Sequence, residues 1–199
     1  MNKHVSLSVN PKVSDWLEFR PSGRVILHTG KVNIGQHITS ALVLIAAEEL
    51  NIDPNQIAVA QTRTGSSPNE NYTVGSQSMQ HSGYAIKKAA ATARNELTVR
   101  AAKFFSVSVE QIKIEDGNLF IEKTNQSISY WELVKNAPLE CYVDETVDVK
   151  NHALHQLQGR HHIARGMWDI VTGKYEFIQD LKLPNICLLY TSPSPRDQL

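Results

Sequence analysis

The spacing of apolar residues predicts two helices that each bury one face. Apolar positions recur at helical intervals over residues 38–50 and again from about residue 82 to residue 105. Pro54 follows the first of these segments closely and prevents its continuation. In the second segment the predicted apolar stripe consists of Ile86, Ala90, Ala93, Leu97, Ala101 and Phe104. These are the two longest helices that the pattern supports.

Short apolar or alternating segments between turn residues predict strands. They lie at residues 16–19, 25–28, 57–60, 112–114 and 119–121. The first two flank a turn that contains Gly23, and the last two flank Gly117, so each pair is expected to form a hairpin. Ser129 and Glu132 have the spacing of a capping box and predict a further short helix. Helices mixed with small antiparallel sheets indicate an α+β fold.

The pattern of regular elements weakens in the C-terminal part of the chain. We assign residues 1–137 to a first domain and residues 138–165 to a polar connector. A last strand is predicted over residues 175–178, and residues 166–186 are interpreted as the start of a second domain.

The final residues have a different origin from the rest. Residues 187–197 match the in-frame translation of a transposase adapter used to prepare sequencing libraries, and Gln198 and Leu199 continue that reading frame. We therefore interpret residues 187–199 as an artefact and exclude them from the fold. The natural sequence is expected to depart from this one after Ile186, as a piece of a longer reading frame.

Composition excludes several classes of function. The formal net charge is zero, so no basic face for nucleic acid is indicated. No apolar run approaches the roughly 18 residues of a membrane span, and the N-terminus lacks an apolar signal core. We expect a cytoplasmic protein. Cys141 is the single cysteine before the artefact, so neither a disulfide framework nor an iron–sulfur cluster is expected in this chain.

Two glycine-bearing turns carry the candidate chemistry. Residues 30–37 and 73–78 each lead into a predicted helix and place small or amide side chains at its entrance. Backbone N–H groups at such positions bind anions, so a pair of these turns suits an anionic cofactor. The alternative is a pair of tight loops capped by Ser and Gln side chains, without a ligand. The candidate binding residues are Gly35, Gln36, His37, Thr73, Gly75, Ser76, Gln77 and Ser78.

Other polar groups are weaker candidates. Four histidines suggest a metal site by number alone, but they fall in the polar connector and lack regular spacing, so a solvated loop is expected. These are His152, His155, His161 and His162. Glu48 and Glu49 are adjacent on a helix, point in different directions and are expected to straddle its surface. Arg94 is interpreted as a surface or interdomain ion-pair partner. No metal ligand is predicted.

Five segments together resemble the molybdenum hydroxylases, the family of xanthine dehydrogenase and aldehyde oxidase. The resemblance is closest to large subunits of the isoquinoline oxidoreductase and nicotinate dehydrogenase type. The segments are Trp16-Leu17-Glu18-Phe19, Gly30-Lys31-Val32-Asn33-Ile34-Gly35-Gln36, Ala46-Ala47-Glu48-Glu49-Leu50, Ser67-Pro68-Asn69-Glu70 and Thr73-Val74-Gly75-Ser76-Gln77-Ser78. Residues 172–184 resemble the opening of that family's α/β hammerhead domain.

The resemblance implies a cofactor and its approximate placement. The family binds a molybdenum–pterin cofactor, extended in bacteria by cytosine dinucleotide. By resemblance, Gly75 lies nearest the metal and Gln36 nearer the pterin. Asn33 stands where an acidic residue is frequent, and His37 stands where the family commonly has glycine. The His37 side chain would crowd the ligand, donate to a phosphate, or point to solvent as the first helical residue.

The resemblance also implies a function for the complete protein. Such enzymes hydroxylate a carbon of an N-heteroaromatic ring or an aldehyde with oxygen from water. Their electrons leave through 2Fe–2S clusters, expected here on a small partner subunit. The family's catalytic glutamate lies near the C-terminus of the large subunit, so no catalytic residue is assigned to this chain, which needs the rest of its own large subunit for activity. The alternative is a non-catalytic module of the same fold that binds phosphate or cofactor, or assists assembly.

Overall fold

The computed structural model describes residues 4–122, 124, 126–135, 137–177 and 180–185. The chain divides into two compact units, with the boundary between Arg165 and Gly166. Residues 187–199, the predicted artefact, lie outside the described residues.

The first unit contains two three-stranded sheets and two long helices, which confirms the α+β class and both predicted hairpins. Its strands are β1 (Leu17–Arg20), β2 (Arg24–Leu27), β3 (Ile57–Val59), β4 (Ile112–Glu115), β5 (Asn118–Ile121) and β6 (Ser127–Ser129). Its α-helices are α1 (Val5–Val9), α2 (Ile38–Leu50), α3 (Tyr84–Phe105) and α4 (Tyr130–Lys135). Among the described residues, no helix is long and apolar enough to cross a membrane.

The first sheet determines where the two glycine-bearing turns lie. β1 and β2 form an antiparallel hairpin, whereas β2 and β3 are parallel, with Val25 paired to Ile57 and Leu27 paired to Val59. α2 connects the two parallel strands. The carboxyl ends of parallel neighbours lie at the same edge of a sheet. The segments that follow β2 and β3 therefore start side by side.

The core lies between the sheets and the pair α2 and α3, which pack against each other. Most of the predicted stripe on α3 is buried, and its alanines allow a close approach of the neighbouring elements. The inclusion of Phe104 in that stripe was wrong, because its side chain is 65% exposed. Phe104 packs edge-on against Phe105 instead.

A π-helical turn, Ser78–Gly83, precedes α3 and directly follows the second glycine-bearing turn. The predicted helix therefore begins with a widened first turn. A Cβ atom at Gly83 would lie 3.3 Å from the Cδ1 atom of Ile45 on α2, so the absence of a side chain lets this turn approach α2 closely. Turns of this kind are frequent at functional sites.

The second sheet, β4-β5-β6, is tied to the end of α2. The buried hydroxyl of Tyr130 donates to the Leu50 carbonyl at 2.9 Å, and Gly117 N donates to the Asn51 carbonyl at 3.0 Å. The predicted capping box is confirmed, since Ser129 N donates to Glu132 Oε2 at 2.8 Å and Glu132 N donates to Ser129 Oγ at 3.2 Å.

The second unit contains one short helix, α5 (Met167–Val171), within its described part. The predicted strand was wrong over residues 175–177, and residue 178 lies outside the described residues. The N–H groups of Lys174 and Tyr175 both donate to the Asp169 carbonyl, at 2.7 and 3.0 Å, so this segment closes the end of α5. Within the described part of this unit there is no strand with which it pairs.

Candidate functional site

The chain leaves β2 and β3 at the same sheet edge, and the two segments stay together beyond it. Ala60 N donates to the Leu27 carbonyl at 2.9 Å, and Thr62 Oγ1 donates to the Thr29 carbonyl at 3.1 Å. Ligands of open sheets with parallel strands commonly bind outside the carboxyl ends of the strands. A ligand-binding site is therefore expected at this edge of the sheet.

The two glycine-bearing turns meet at this edge. Within the first predicted turn, residues 30–37, we call residues 32–37 turn 1, because residues 30 and 31 make separate contacts described below. Residues 73–78 are turn 2. Val32 N, in turn 1, donates to Thr73 Oγ1, in turn 2, at 3.1 Å. This hydrogen bond joins the two turns, and Thr73 is half-buried. Ser78, the last residue of turn 2, begins the π-helical turn. The two turns are therefore close enough to contact the same ligand.

Three buried polar side chains hold turn 2 against the strand end. We call Thr29, Lys31 and Glu70 the clamp. Glu70 Oε2 accepts from Thr29 Oγ1 and from Gly30 N, both at 2.7 Å. Lys31 Nζ donates to the carbonyls of Glu70 and Tyr72, at 2.6 and 2.8 Å. The three clamp residues are 1%, 1% and 8% exposed, so these hydrogen bonds form in a largely dry environment.

Gly30 allows the two loops to approach closely. A Cβ atom at this position would lie 2.3 Å from the Pro68 carbonyl oxygen, a distance that a side chain cannot adopt without moving the backbone. The clamp was not predicted from the sequence. Lys31 and Glu70 stand in the segments that carry the family resemblance, but nothing in a loop sequence shows that a charged residue is buried.

The tips of the turns offer backbone donors to solvent. Gly35, Gln36, Gly75, Ser76 and Gln77 are exposed. Among the described residues, no acceptor takes the N–H groups of Gly35, Gln36, Gly75 or Ser76. A Cβ atom at Gly35 would meet nothing within 4 Å, and one at Gly75 would meet only the Gln77 side chain at 3.7 Å. The turns thus combine unused donors with open space.

Gln36 closes turn 1 in this structure. Its Oε1 accepts from Ile34 N at 2.7 Å, and its Nε2 donates to the Val32 carbonyl at 3.0 Å. Both ends of the amide are engaged within the turn. The Asn33 side chain connects turn 1 to the first turn of α2. Its Nδ2 donates to Thr39 Oγ1 at 2.8 Å, and its Oδ1 accepts from Thr39 N at 3.2 Å. The amide side chains of turn 1 therefore shape its backbone.

His37 precedes α2 rather than forming its first residue. Its φ of 56° is left-handed, and its side chain makes no capping hydrogen bond. It lines a cavity of about 910 Å³ that extends along α2 toward Asp53, Lys150 and Arg165. This cavity contains no other residue of turn 1 and none of turn 2. This cavity is thus beside the paired turns and not between them.

The carboxylates of Glu48 and Glu49, on α2, hold the connector, residues 138–165, in place. Lys150 Nζ contacts Glu48 Oε1 at 2.7 Å, and the N–H groups of Gln156, Leu157 and Gln158 all donate to the Glu48 carboxylate, with shortest distances of 3.0, 2.7 and 3.2 Å. Burial alone would raise the pKa of Glu48, but these four donors outweigh it and lower the pKa to about 2.

Glu49 is also buried, at 1% exposure, and lies 3.4 Å from Arg94. Its carboxylate accepts from Lys150 N. Glu48 and Glu49 point in different directions, as predicted, toward the connector and toward Arg94 on α3. The expectation that they lie at the helix surface was wrong, because both are buried. Arg94 is an ion-pair partner, as predicted, but inside the first unit.

The four histidines of the connector are exposed or half-exposed. In the part of the chain that the structure describes, no group of three His, Cys, Asp or Glu side chains could hold a metal ion.

Comparison with known proteins identifies a family and relatives to which this chain is similar. The profile of a family described as "molybdopterin cofactor-binding domain" matches residues 3–176. A nicotinate dehydrogenase subunit of Pseudomonas putida is 29% identical over 187 residues, which cover 92% of this chain and 16% of that protein. The gamma subunit of the 6-hydroxypseudooxynicotine dehydrogenase complex of Paenarthrobacter nicotinovorans is 29% identical over 117 residues, which cover 59% and 15%. The chain thus spans about a sixth of the curated relatives it matches.

Solved structures share the fold. A copper- and molybdenum-containing CO dehydrogenase superposes with a TM-score of 0.53 at 24% identity, over 61% of this chain and 16% of that one. Quinoline 2-oxidoreductase from Pseudomonas putida 86 gives a TM-score of 0.50 at 22% identity, over 59% and 15%.

Proposed function

The chain belongs to the family of molybdopterin cofactor-binding domains of molybdenum hydroxylase-type oxidoreductases, and on that premise we propose that turns 1 and 2 hold the molybdenum–pterin cofactor. The observation that carries the proposal is the hydrogen bond between Val32 N and Thr73 Oγ1, which joins the turns. Their unused N–H groups and open glycine positions fit a ligand that carries phosphate and many heteroatoms.

The residues of this chain would bind and orient the cofactor. The N–H groups of Gly35, Gln36, Gly75 and Ser76 donate to anionic or carbonyl oxygens, and the hydroxyls of Ser76 and Ser78 add donors beside them. His37, at the end of turn 1, is the ionisable side chain within the two turns. When bound, the cofactor supplies the redox chemistry of molybdenum, and the protein supplies position and a defined hydrogen-bonding environment.

The complete enzyme hydroxylates a carbon of an N-heteroaromatic ring or an aldehyde with oxygen from water. The names of two similar proteins, nicotinate dehydrogenase and quinoline 2-oxidoreductase, refer to nitrogen heterocycles. Two relatives are named as subunits, which supports a complex in which an iron–sulfur subunit accepts the electrons. The cytosine dinucleotide form of the cofactor, a catalytic glutamate outside this chain and a cytoplasmic location belong to the same proposal.

The surroundings of the turns support contact with the rest of the large subunit. Ile34, Tyr72 and Val74 are 68%, 82% and 62% exposed. Large apolar side chains grouped around a polar site are typical of a surface that another polypeptide segment covers. The remainder of the large subunit is the occupant that this proposal requires.

The test compares two glycines in the complete subunit. Gly75 has φ 65° and Gly23, in the β1–β2 hairpin, has φ 81°, and a Cβ atom at Gly23 would meet nothing within 4 Å. Valine imposes similar backbone strain at both positions. We expect Gly75→Val to remove most of the molybdenum measured per subunit and Gly23→Val to retain it. Full molybdenum in both variants would contradict the proposal, and a wild-type subunit without molybdenum would favour the non-catalytic module.

A further inference from the structure

Lys31 is buried, and its ammonium donates to backbone carbonyl groups. Its side chain is 1% exposed, and ammonium groups are rarely buried to this extent unless they are paired with an anion. Here Nζ donates to two backbone carbonyls, those of Glu70 and Tyr72, at 2.6 and 2.8 Å. The charge therefore acts on the backbone that leads into turn 2.

The backbone between those two carbonyls has a left-handed conformation. Asn71 has a φ of 57°, which asparagine adopts more readily than most residues other than glycine. One ammonium that bonds the carbonyls on either side of Asn71 stabilises this conformation against relaxation. If the contact is lost, Asn71 can return to a negative φ, and this rotation redirects residues 72–76.

The other side of the contact is fixed. Lys31 lies four residues beyond Leu27, the end of β2. Its backbone N donates to Thr29 Oγ1 at 3.1 Å, and the next residue, Val32, donates to Thr73. It thus connects the segment after β2 to the loop that leads into turn 2.

We propose that Lys31 is a positioning residue for the cofactor. Its ammonium fixes residues 70–72 and thereby places the free N–H groups of Gly75 and Ser76 where the cofactor needs them. This inference rests on the proposed function of turns 1 and 2.

Lys88 provides a matched control. Its Nζ also donates to two backbone carbonyls of one loop, those of Glu145 and Val147, at 2.8 and 2.9 Å. Neither carbonyl belongs to turn 1 or turn 2. Replacement of either lysine by methionine removes two charged hydrogen bonds. Lys88 is half-buried whereas Lys31 is buried, so the molybdenum content of the two variants is compared at the same interval below each thermal midpoint.

The experiment compares Lys31→Met, Lys31→Arg and Lys88→Met in the complete subunit. Molybdenum per subunit is measured after gel filtration, and the thermal midpoint is recorded. In cofactor-free protein, the initial rate of chymotryptic cleavage after Tyr72 reports the opening of the loop. Tyr72 is exposed, so the rate depends on backbone order and not on access to the side chain.

We expect Lys31→Met to speed cleavage after Tyr72 about tenfold and to weaken cofactor retention by a similar factor. Lys88→Met should lower the thermal midpoint while it keeps both properties. Arginine presents two N–H groups in a fork, so Lys31→Arg should restore part of the molybdenum content. This rescue would not be seen if Lys31 only filled space.

Three results would overturn the inference in distinguishable ways. Full molybdenum in Lys31→Met, together with molybdenum loss in Gly75→Val, would leave turn 2 as a cofactor site and remove Lys31 from its positioning. Full molybdenum in both variants would overturn the proposed function itself. Equal molybdenum loss in Lys31→Met and Lys88→Met at equal loss of thermal midpoint would reduce Lys31 to a general stabilising residue.

Discussion

Two regions of the first unit gather backbone N–H groups, and they differ in where the acceptor comes from. In the connector, the N–H groups of Gln156, Leu157 and Gln158 all donate to the carboxylate of Glu48. In turns 1 and 2, the N–H groups at the tips have no acceptor among the described residues. The first group of donors is satisfied by the protein's own anion, whereas the second remains available to a ligand.

The buried lysines of the two regions explain this difference. Lys150 Nζ bonds the carboxylate of Glu48, so the charge pair and the loop donors converge on one anion. Lys31 Nζ bonds carbonyls, and the clamp carboxylate of Glu70 accepts from Thr29 and Gly30 at the strand end. The segment that leads into turn 2 is therefore held through its carbonyl groups, and the N–H groups of Gly75 and Ser76 stay unused. A loop can be rigid and still offer its donors.

The largest expected effect on stability is at the junction of the turns. Alanine at Gly30 would place a Cβ atom 2.3 Å from the Pro68 carbonyl oxygen, which forces the two loops apart. We expect Gly30→Ala to lower the free energy of unfolding by about 3 kcal/mol. Urea unfolding of the 199-residue chain, followed by fluorescence of the buried Trp16, measures this change.

The matched variant lies in the connector. Gly159 has a φ of 80°, and a Cβ atom there would have no neighbour within 4 Å. Gly159→Ala therefore introduces backbone strain without a steric clash, and we expect it to lower the free energy of unfolding by about 1 kcal/mol. An equal or smaller cost for Gly30→Ala would mean that the turns are not held in close contact.

The next prediction concerns the amide that closes turn 1. Gln36→Ala removes its bonds to Ile34 N and to the Val32 carbonyl, and Val32 is also the residue that donates to Thr73. We expect molybdenum binding in the complete subunit to weaken by about one to two orders of magnitude, with turnover per bound molybdenum nearly unchanged. Full molybdenum with lost turnover per metal would instead place Gln36 at the reacting centre.

A third prediction uses the lysine of the connector. Lys150→Met leaves the Glu48 carboxylate with its three backbone donors but removes the ammonium. The ammonium makes three hydrogen bonds, to the Glu48 carbonyl, the Glu48 carboxylate and Asn51 Oδ1. The free energy of unfolding should therefore fall by about 3 kcal/mol. Molybdenum content of the complete subunit should stay at the wild-type level at temperatures where it is folded. A selective loss of molybdenum would couple the two regions and contradict their separation.

The last prediction is a dependence of stability on pH. The pKa of Glu48 is lowered to about 2 in the folded chain, from an ordinary value of 4.5. The unfolded chain therefore binds a proton first as the pH falls, and the stabilisation is complete above pH 4.5 and is lost between that pH and about 2. Glu48→Gln should flatten this part of the stability curve. An unchanged acid slope in the variant would remove Glu48 as its cause.

Much of the fold follows from local pattern. The predicted bounds of α2 agree with Ile38–Leu50 because apolar periodicity and Pro54 define the same end. Both hairpins follow from turn glycines. The pairing of turns 1 and 2 could have been derived more directly, because a strand, a helix and a second strand in succession favour a parallel pair.

The clamp and the anchored connector depend on long-range contacts that local pattern does not contain. Lys31 and Glu70 are 39 residues apart, and they become buried because β2 and β3 pair in parallel. Glu48 is buried by a connector whose own sequence is polar. The strand predicted over residues 175–178 had the right local pattern but no partner in the described part of its unit.

We propose that the cofactor accepts hydrogen bonds from the donors of turns 1 and 2. Hydrogen–deuterium exchange of the complete subunit, with and without bound cofactor, tests this at the amides concerned. We expect fast exchange at residues 35–36 and 75–76 in cofactor-free protein and strong protection when the cofactor is bound, while residues 156–158 are protected in both states. Exchange at the turn residues that does not change with cofactor, in a subunit that retains its molybdenum, would mean that these amides do not bind the cofactor.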